Sequence, residues 1–518
     1  MTRNSEAGRI ARVILASFGS PLSGGAQDRL IEVCRVAFGL LVVHRFVDAL
    51  GYVTVAPDPA ALTPVLLGGA ALGLCVAIGL LTPLSLALLG FGYFAIPRFA
   101  GTLGDQVAVV LTWCLLFFGA GRHFSVDRLL ARSTTWSKVI NTLHFAEVPR
   151  TPLSTAIVNA FGIFLFWCIA YSAATFHFFD PMWLDLDALQ AFMTMPYMSE
   201  HSAFFQMLAT SQSALYDVGC KLGLAIQCFW ELALFPLMFW NWGRLFARWQ
   251  GYGFFLISAL GLNLGYLPFY ELVLWTLICT PGTKASTLPA KGSHFSLFPR
   301  IAIAAGLTGA IVYLSATTAF QIGRGLGLNV ASLEPLIDHK AFRVLGLHPV
   351  KVFNRADMDM GNSSLVVAEV DNTGSPIRVV PFQRPDGGRL DYLRNDHLYF
   401  DHSLAWQRNG LDAKTTPDGK PRPQTVRLAE QVALLDACIR QKPTAAFKAY
   451  MFRRQIEEGE RFLEWRQPIL VTSFEIRPLS ADLGKSTCRY AYDLPPGHFA
   501  DPPSIAELIA ITGLAQNL

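Results

Sequence analysis

The stretch Ala156–Pro196, AIVNAFGIFLFWCIAYSAATFHFFDPMWLDLDALQAFMTMP, decides what kind of molecule this is. Residues 156–176 are predominantly apolar and match the roughly 20 residues a helix needs to cross a bilayer core. The run then releases the chain into His177, Asp180, Trp183, Asp185 and Asp187. Apolar residues that give way to aromatic and acidic ones mark a membrane interface, a place that can hold a headgroup, a quinone ring or a peptide. Polar groups at membrane depth are costly, so they report either a site or an ordinary aromatic belt with solvated acids. The residues alone leave both readings open.

The composition agrees with a membrane protein. Of 518 residues, 52% are hydrophobic and 15% charged, against about 25% charged in soluble chains. Mean hydropathy is +0.37. The long apolar runs lie before residue 322, and the rest reads as a soluble domain. The expected division is a polar, basic segment 1–28, a transmembrane domain 29–321 and an α+β domain 322–518. A net charge of +4 is too small to argue for nucleic acid. None of the nine cysteines has metal-ligand spacing, so no zinc or iron–sulfur site is expected. Cys438 and Cys488, the two in the soluble half, are the candidate disulfide if that half faces an oxidising compartment.

Spans are expected at 31–54, 62–80, 83–98, 104–121, 154–176, 217–241, 252–279 and 298–321. The fold class is a polytopic α-helical membrane domain of about eight to nine helices plus a C-terminal α+β domain. Short links between the first four spans predict an up–down four-helix bundle. Gly68, Gly69, Gly73 and Gly79 offer the second helix a small-residue face. Clusters of Lys and Arg before span one, after span four and at Arg244 and Arg248 after span six place those segments in the cytoplasm. Region 252–279 is interrupted by Asn263, Gly265, Pro268 and Glu271. Read as a hairpin of two short helices, it puts the C-terminal domain outside the cytoplasm. In that domain, Leu365–Val370 and Ile377–Phe382 flank a turn signal and read as a hairpin. Residues 424–440 and 444–464 read as helices, Ile469–Ile476 and Cys488–Tyr492 as strands, and 503–514 as a last helix.

Several polar residues stand out. Arg45 and Asp48 are three apart and can pair on one helix face; Arg35, His44 and Arg45 either fix packing or line a polar cavity. Asp105, Ser125 and Asp127 are placed to cap helices. Glu231 and Glu271 sit inside apolar runs. A carboxylate there is protonated, faces water or pairs with a cation, for which Arg35, Arg45 and Lys221 are available. The candidate catalytic set is His177, Asp180, Glu231 and Glu271, with Trp183, Arg35 and Arg45 as candidate pocket residues. Asp396-His397 and Asp401-His402 repeat at a spacing of five, which puts the two His on opposite faces of a strand and argues against one metal site. Asp357–Asn362 superficially matches a calcium loop, but Ala368 stands where the glutamate belongs.

Taken together, the segments resemble the HTTM (horizontally transferred transmembrane domain) family, related to vitamin K-dependent γ-carboxylase and to toxin-maturation membrane proteins. The matching residues are Arg35-Val36-Ala37-Phe38-Gly39-Leu40-Leu41, Gly104-Asp105, Gly121-Arg122-His123-Phe124-Ser125-Val126-Asp127, the span from Ala170-Tyr171 to Trp183, and Trp230-Glu231-Leu232. The resemblance spans roughly residues 28–321. It implies a bacterial inner-membrane bundle with a β-rich extracytoplasmic domain. The carboxylase has a base lysine before the Asp–Trp segment; here His177, Phe178 and Phe179 stand there, and no lysine lies between Lys138 and Lys221. Carboxylase chemistry therefore does not carry over. The leading expectation is a membrane protein that modifies a secreted peptide or assists its maturation. The alternatives are a quinone- or lipid-binding oxidoreductase and a non-catalytic scaffold; membrane lipids are partners in each.

Overall fold

The computed structural model describes residues 2–19, 22, 24–50, 59–96, 102–144, 147–148, 151–177, 181–194, 199, 201–262, 264–279, 297–349, 363–380, 426, 429–430, 433, 437, 445–453, 456–458, 463–465 and 469–476. Among them, four helices are long and apolar enough to cross a membrane: Ala60–Ile78, Pro152–His177, Ser213–Leu237 and Leu297–Gly325. The Pro152–His177 helix differs from the others. Its apolar window is 72% buried by protein, against 28–33% for the other three. A helix apolar on all sides yet covered by protein is the hub of its bundle.

The helices in chain order are α1 (Thr2–Phe18), α2 (Gly24–Leu50), α3 (Pro59–Ile78), α4 (Thr82–Ala95), α5 (Asp105–Phe117), α6 (Val126–Leu130), α7 (Thr134–Leu143) and α8 (Pro152–His177). They continue with α9 (Pro181–Leu184), α10 (Ala188–Thr194), α11 (Ser202–Ser211), α12 (Ser213–Leu237), α13 (Asn241–Gly261), α14 (Leu267–Ile278) and α15 (Leu297–Gly325). Two short helices, α16 (Glu334–Ile337) and α17 (Lys340–Arg343), follow. Around α8 stand α1, α5, α12, α14 and α15. The N-terminal segment, read as merely polar, is helical and packed: Asn159 Nδ2 donates to Phe18 O at 2.8 Å, and Phe18 stacks on Phe235 with centroids 5.5 Å apart.

The first four spans pack consecutively, α2 on α3, α3 on α4 and α4 on α5. α14 also packs on both α2 and α5, the outer helices of that series, which meet through the Arg45–Asp105 pair. Short links fix consecutive neighbours, but further packing is decided by side chains: the hydroxyls of Tyr266, just before α14, and Tyr270, within it, reach Asp48 and Tyr93. The α2–α3 contact is close. Added Cβ atoms at Gly39, Gly69 and Gly73 would run into the backbone of Ala77, the ring of Phe46 and the side chain of Val42, whereas Gly68 faces open space. Gly79, with φ of +75°, ends α3 in the left-handed region that favours glycine.

The run 252–279 is two helices. α13 and α14 pack against each other, with turn residues 265–266 leading into α14, and Trp275 Nε1 donates to Arg248 O at 3.0 Å. Arg244 and Arg248, expected in a turn, lie in the first half of α13. α12 is tied to its neighbours by tryptophan N–H groups. Pro236 has no N–H for Leu232 O, and Trp167 Nε1 takes that place at 2.9 Å, while Trp230 Nε1 donates to Ala247 O at 2.9 Å.

After α15 the chain turns back onto the bundle. Trp113 Nε1 donates to Val344 O at 2.6 Å and Gln106 Nε2 to His348 O at 3.3 Å. Beyond it, β1 (Ser363–Val370), β2 (Pro376–Val380), β3 (Ala446–Arg453) and β6 (Ile469–Glu475) form an antiparallel sheet in the order β2-β1-β3-β6, and β4 (Ile456–Glu458) pairs with β5 (Leu463–Trp465). The β1–β2 hairpin and the strand at 469–475 match expectation. The helix expected at 444–464 is instead β3, β4 and β5. Phe447 and Ala449 are buried at a spacing of two, and β3 has partners on both sides, so sheet pairing overrides the helix propensity of its Ala, Lys and Met. Ala429, Ala433 and Ala437, helical and four apart, bury against Val367, Phe447 and Ala449. Asp180, Asp357–Asn362, His397, His402, Cys438, Cys488, the strand expected at 488–492 and the helix expected at 503–514 lie outside the described residues.

Candidate functional site

A cavity of about 370 Å³ opens between α8, α12, α13 and α14, with α9 and α10 at one end. Helical periodicity builds its walls. Phe166, Ile169, Ala170, Ala173 and His177 come from one face of α8; Gly223, Gln227, Trp230 and Glu231 from one face of α12; Gln250, Gly253, Phe254 and Ile257 from one face of α13. Glu271 enters from α14, Trp183 from α9 and Gln106 from α5.

Four of the residues singled out in the sequence meet here: His177, Trp183, Glu231 and Glu271. The His177 and Trp183 rings stack nearly parallel, 6° apart with centroids at 3.8 Å. His177 is 5% exposed and Glu271 is 7% exposed. Glu231 Oε1 accepts from Gln227 Nε2 at 2.8 Å, one helical turn away, and Gln227 Oε1 accepts from Gln250 Nε2 at 3.3 Å. Gln227, Gln250 and Gln106 were not anticipated. The spacing of four between Gln227 and Glu231, inside an apolar run, was the available signal. Glu231 Oε2 is buried with no hydrogen-bond partner among the described residues. Among the described residues, no Lys or Arg lines the cavity.

The expected cations are engaged elsewhere. Arg35 is fully buried and donates to Glu32 at 2.6 Å, to Ala77 O at 2.7 Å, to Phe124 O at 3.0 Å and to Val76 O. Glu32 accepts in turn from Gly121 N and His123 N, both at 3.0 Å. The guanidinium thus holds carbonyls freed at the end of α3 against the turn that follows α5. Arg45 pairs with Asp105 at 2.9 Å, and not with Asp48, which accepts from Tyr266 and lies 3.1 Å from His44. Neither Arg35 nor Arg45 lies on the cavity wall. Lys221 reaches Asp217 at 3.1 Å and Asp187 at 3.6 Å. Burial holds the Asp187 carboxyl above its ordinary range, against the pull of Lys221.

The capping acids divide. Ser125 caps its own helix, accepting from Arg128 N at 3.1 Å. Asp127 caps a different one: its two oxygens accept from Leu81 N at 2.6 Å and Thr82 N at 2.8 Å, at the start of α4. Asp105 accepts from Thr102 N at 2.9 Å and from Thr102 Oγ1 at 3.0 Å, and also holds Arg45.

No family model matches the chain, and neither does any curated protein or solved structure. The motif residues divide by place. Arg35 and the 121–127 stretch build the buried joint, Asp105 anchors Arg45, and Trp183, Trp230 and Glu231 line the cavity.

Proposed function

We propose that this multi-pass membrane protein holds a lipophilic small molecule in the cavity between α8, α12, α13 and α14 and exchanges protons with it. One observation carries the reading: His177, Trp183, Glu231 and Glu271, from four separate helices, converge on a cavity that is otherwise largely apolar. Apolar walls with a few convergent polar groups are the general form of a small-molecule site. The aromatic walls take the ligand body, while the glutamines and glutamates orient its polar end. An imidazole titrates near neutrality, and a carboxyl beside a bound head group serves as acid or base. The reading is the quinone- or lipid-binding alternative placed at one site, and it includes an HTTM-type assignment supported by Trp183 and Glu231 on the wall.

An inner-membrane location with the C-terminal half outside the cytoplasm belongs to the same proposal, supported by the α13–α14 turn-back. Handling of a secreted peptide attaches to that half, where β2 and β6 are, among the described residues, edge strands that an extended peptide can extend.

The test is mass spectrometry of the organic extract from protein purified in mild detergent, compared with Gly253→Leu. Gly253 lines the cavity, and a Cβ there meets nothing within 4 Å, so a leucine at this position takes up part of the cavity. One lipophilic compound in near-stoichiometric amount, depleted in the variant, is expected. Bulk phospholipid alone in both samples would overturn the reading.

A further inference from the structure

The charge of the wall narrows the ligand class. This step rests on the lipophilic-cavity reading above. Glu231 of α12 and Glu271 of α14 both line the cavity. Glu271 is 7% exposed and has no hydrogen-bond or ion-pair partner among the described residues. Glu231 commits one oxygen to Gln227 and leaves Oε2 without a partner among them. Elsewhere in the bundle, Arg35 and Arg45 are each buried against an acid. Two carboxyls in an apolar cavity, with no cation among the described residues of its wall, give a positive charge brought by an occupant a place to pair.

We infer that the occupant is a single-chain or compact amphiphile with a basic nitrogen, an amine or guanidine head on an apolar body, whose cation sits between Glu231 and Glu271. Phe166, Trp230 and Phe254 line the same cavity, and aromatic rings suit a cation as well as hydrocarbon. Fatty acids and phospholipids bring a carboxylate or phosphate for which the described residues of this wall offer no cation. A volume of about 370 Å³ stands at the small end of the roughly 300–1,000 Å³ range of ligand pockets, too small for a two-chain lipid.

The experiment compares three probes of one length, n-octylamine, octan-1-ol and octanoate, by equilibrium dialysis at pH 7. The full chain is held in nanodiscs of zwitterionic lipid, with empty nanodiscs subtracted. The amine is expected to bind at least ten-fold more tightly than the alcohol, and octanoate most weakly. In the double variant Glu231→Gln with Glu271→Gln, amine affinity falls to that of the alcohol while alcohol affinity holds. The wild-type comparison needs no variant to fold. Equal binding of amine and alcohol by the wild type, or a quinone in the extract, would overturn the cationic-ligand inference and leave the lipophilic cavity standing. Absence of saturable binding for all three, or binding that Gly253→Leu does not weaken, would overturn the cavity reading itself and the inference with it.

Discussion

Two buried polar clusters sit in this bundle and they are built in opposite ways. At the Glu32–Arg35 joint, a guanidinium and a carboxylate pair, and main-chain carbonyls and N–H groups take up their remaining donors and acceptors. In the cavity, two carboxyls share an apolar wall, and Gln227 supplies the hydrogen bond to Glu231. A satisfied network stabilises one conformation; an unsatisfied one spends stability and points to something that binds there. The contrast matters because both clusters contain residues that stand out equally in the sequence. Charge inside an apolar run does not by itself tell a brace from a site; the partners do.

The largest effect separating the two is expected at the joint. Arg35→Met leaves Glu32 buried and unpaired and lowers stability by about 3–5 kcal/mol, read as a lower midpoint of thermal unfolding in detergent. Glu32→Leu added to it should restore only part of that loss, because Gly121 N, His123 N, Ala77 O and Phe124 O then lose their side-chain partners. If Arg35→Met unfolds at the wild-type midpoint, the joint is no brace. In the cavity the sign is reversed. Glu271→Gln removes a carboxyl whose charge has no counter-ion among the described residues, so the midpoint should stay within about 0.5 kcal/mol of wild type or rise, while retention of the bound compound falls. A loss of several kcal/mol there would make Glu271 structural.

The smallest effect concerns an acid in neither cluster. Asp371, in the β1–β2 turn, accepts from the Thr373 hydroxyl at 2.6 Å and from Thr373 N and Ser375 N at 2.8 and 3.0 Å. These bonds, led by the hydroxyl, hold its carboxyl below the ordinary value. A depressed carboxyl stabilises the fold above its unfolded pKa of about 3.9, and that contribution is lost as pH falls through the lower folded value. Amide exchange at Thr373 and Ser375 should therefore quicken, relative to its intrinsic rate, as the solution is acidified below about pH 4. Asp371→Ala should abolish that dependence.

How much of this was legible depends on range. The apolar runs announced themselves by length, and the β1–β2 hairpin by Asp371 and Gly374, whose φ of +81° the turn requires. His177, Trp183, Glu231 and Glu271 were legible as polar or interfacial residues at the wrong depth. Their convergence was not, since it depends on how α8, α12 and α14 pack. Nor was partner choice: Arg45 lies three residues from Asp48 yet reaches Asp105, 60 positions away. Asp127 reads as the cap of its own helix and caps another, 45 positions back. β3 was mistaken because Ala, Lys and Met favour helices locally, whereas its strand form depends on neighbours at 363–370 and 469–475.

Gln106 joins two parts of the molecule. It contributes to the cavity wall and donates to His348 O, 242 positions along the chain, in the strap that leads from α15 toward the sheet. With Trp113, two turns further along α5, donating to Val344 O, that strap is riveted to α5. A pull on the strap is therefore delivered at the chamber itself, through a linkage only one side chain long, so the segment that follows α15 and the wall of the chamber share a mechanical connection.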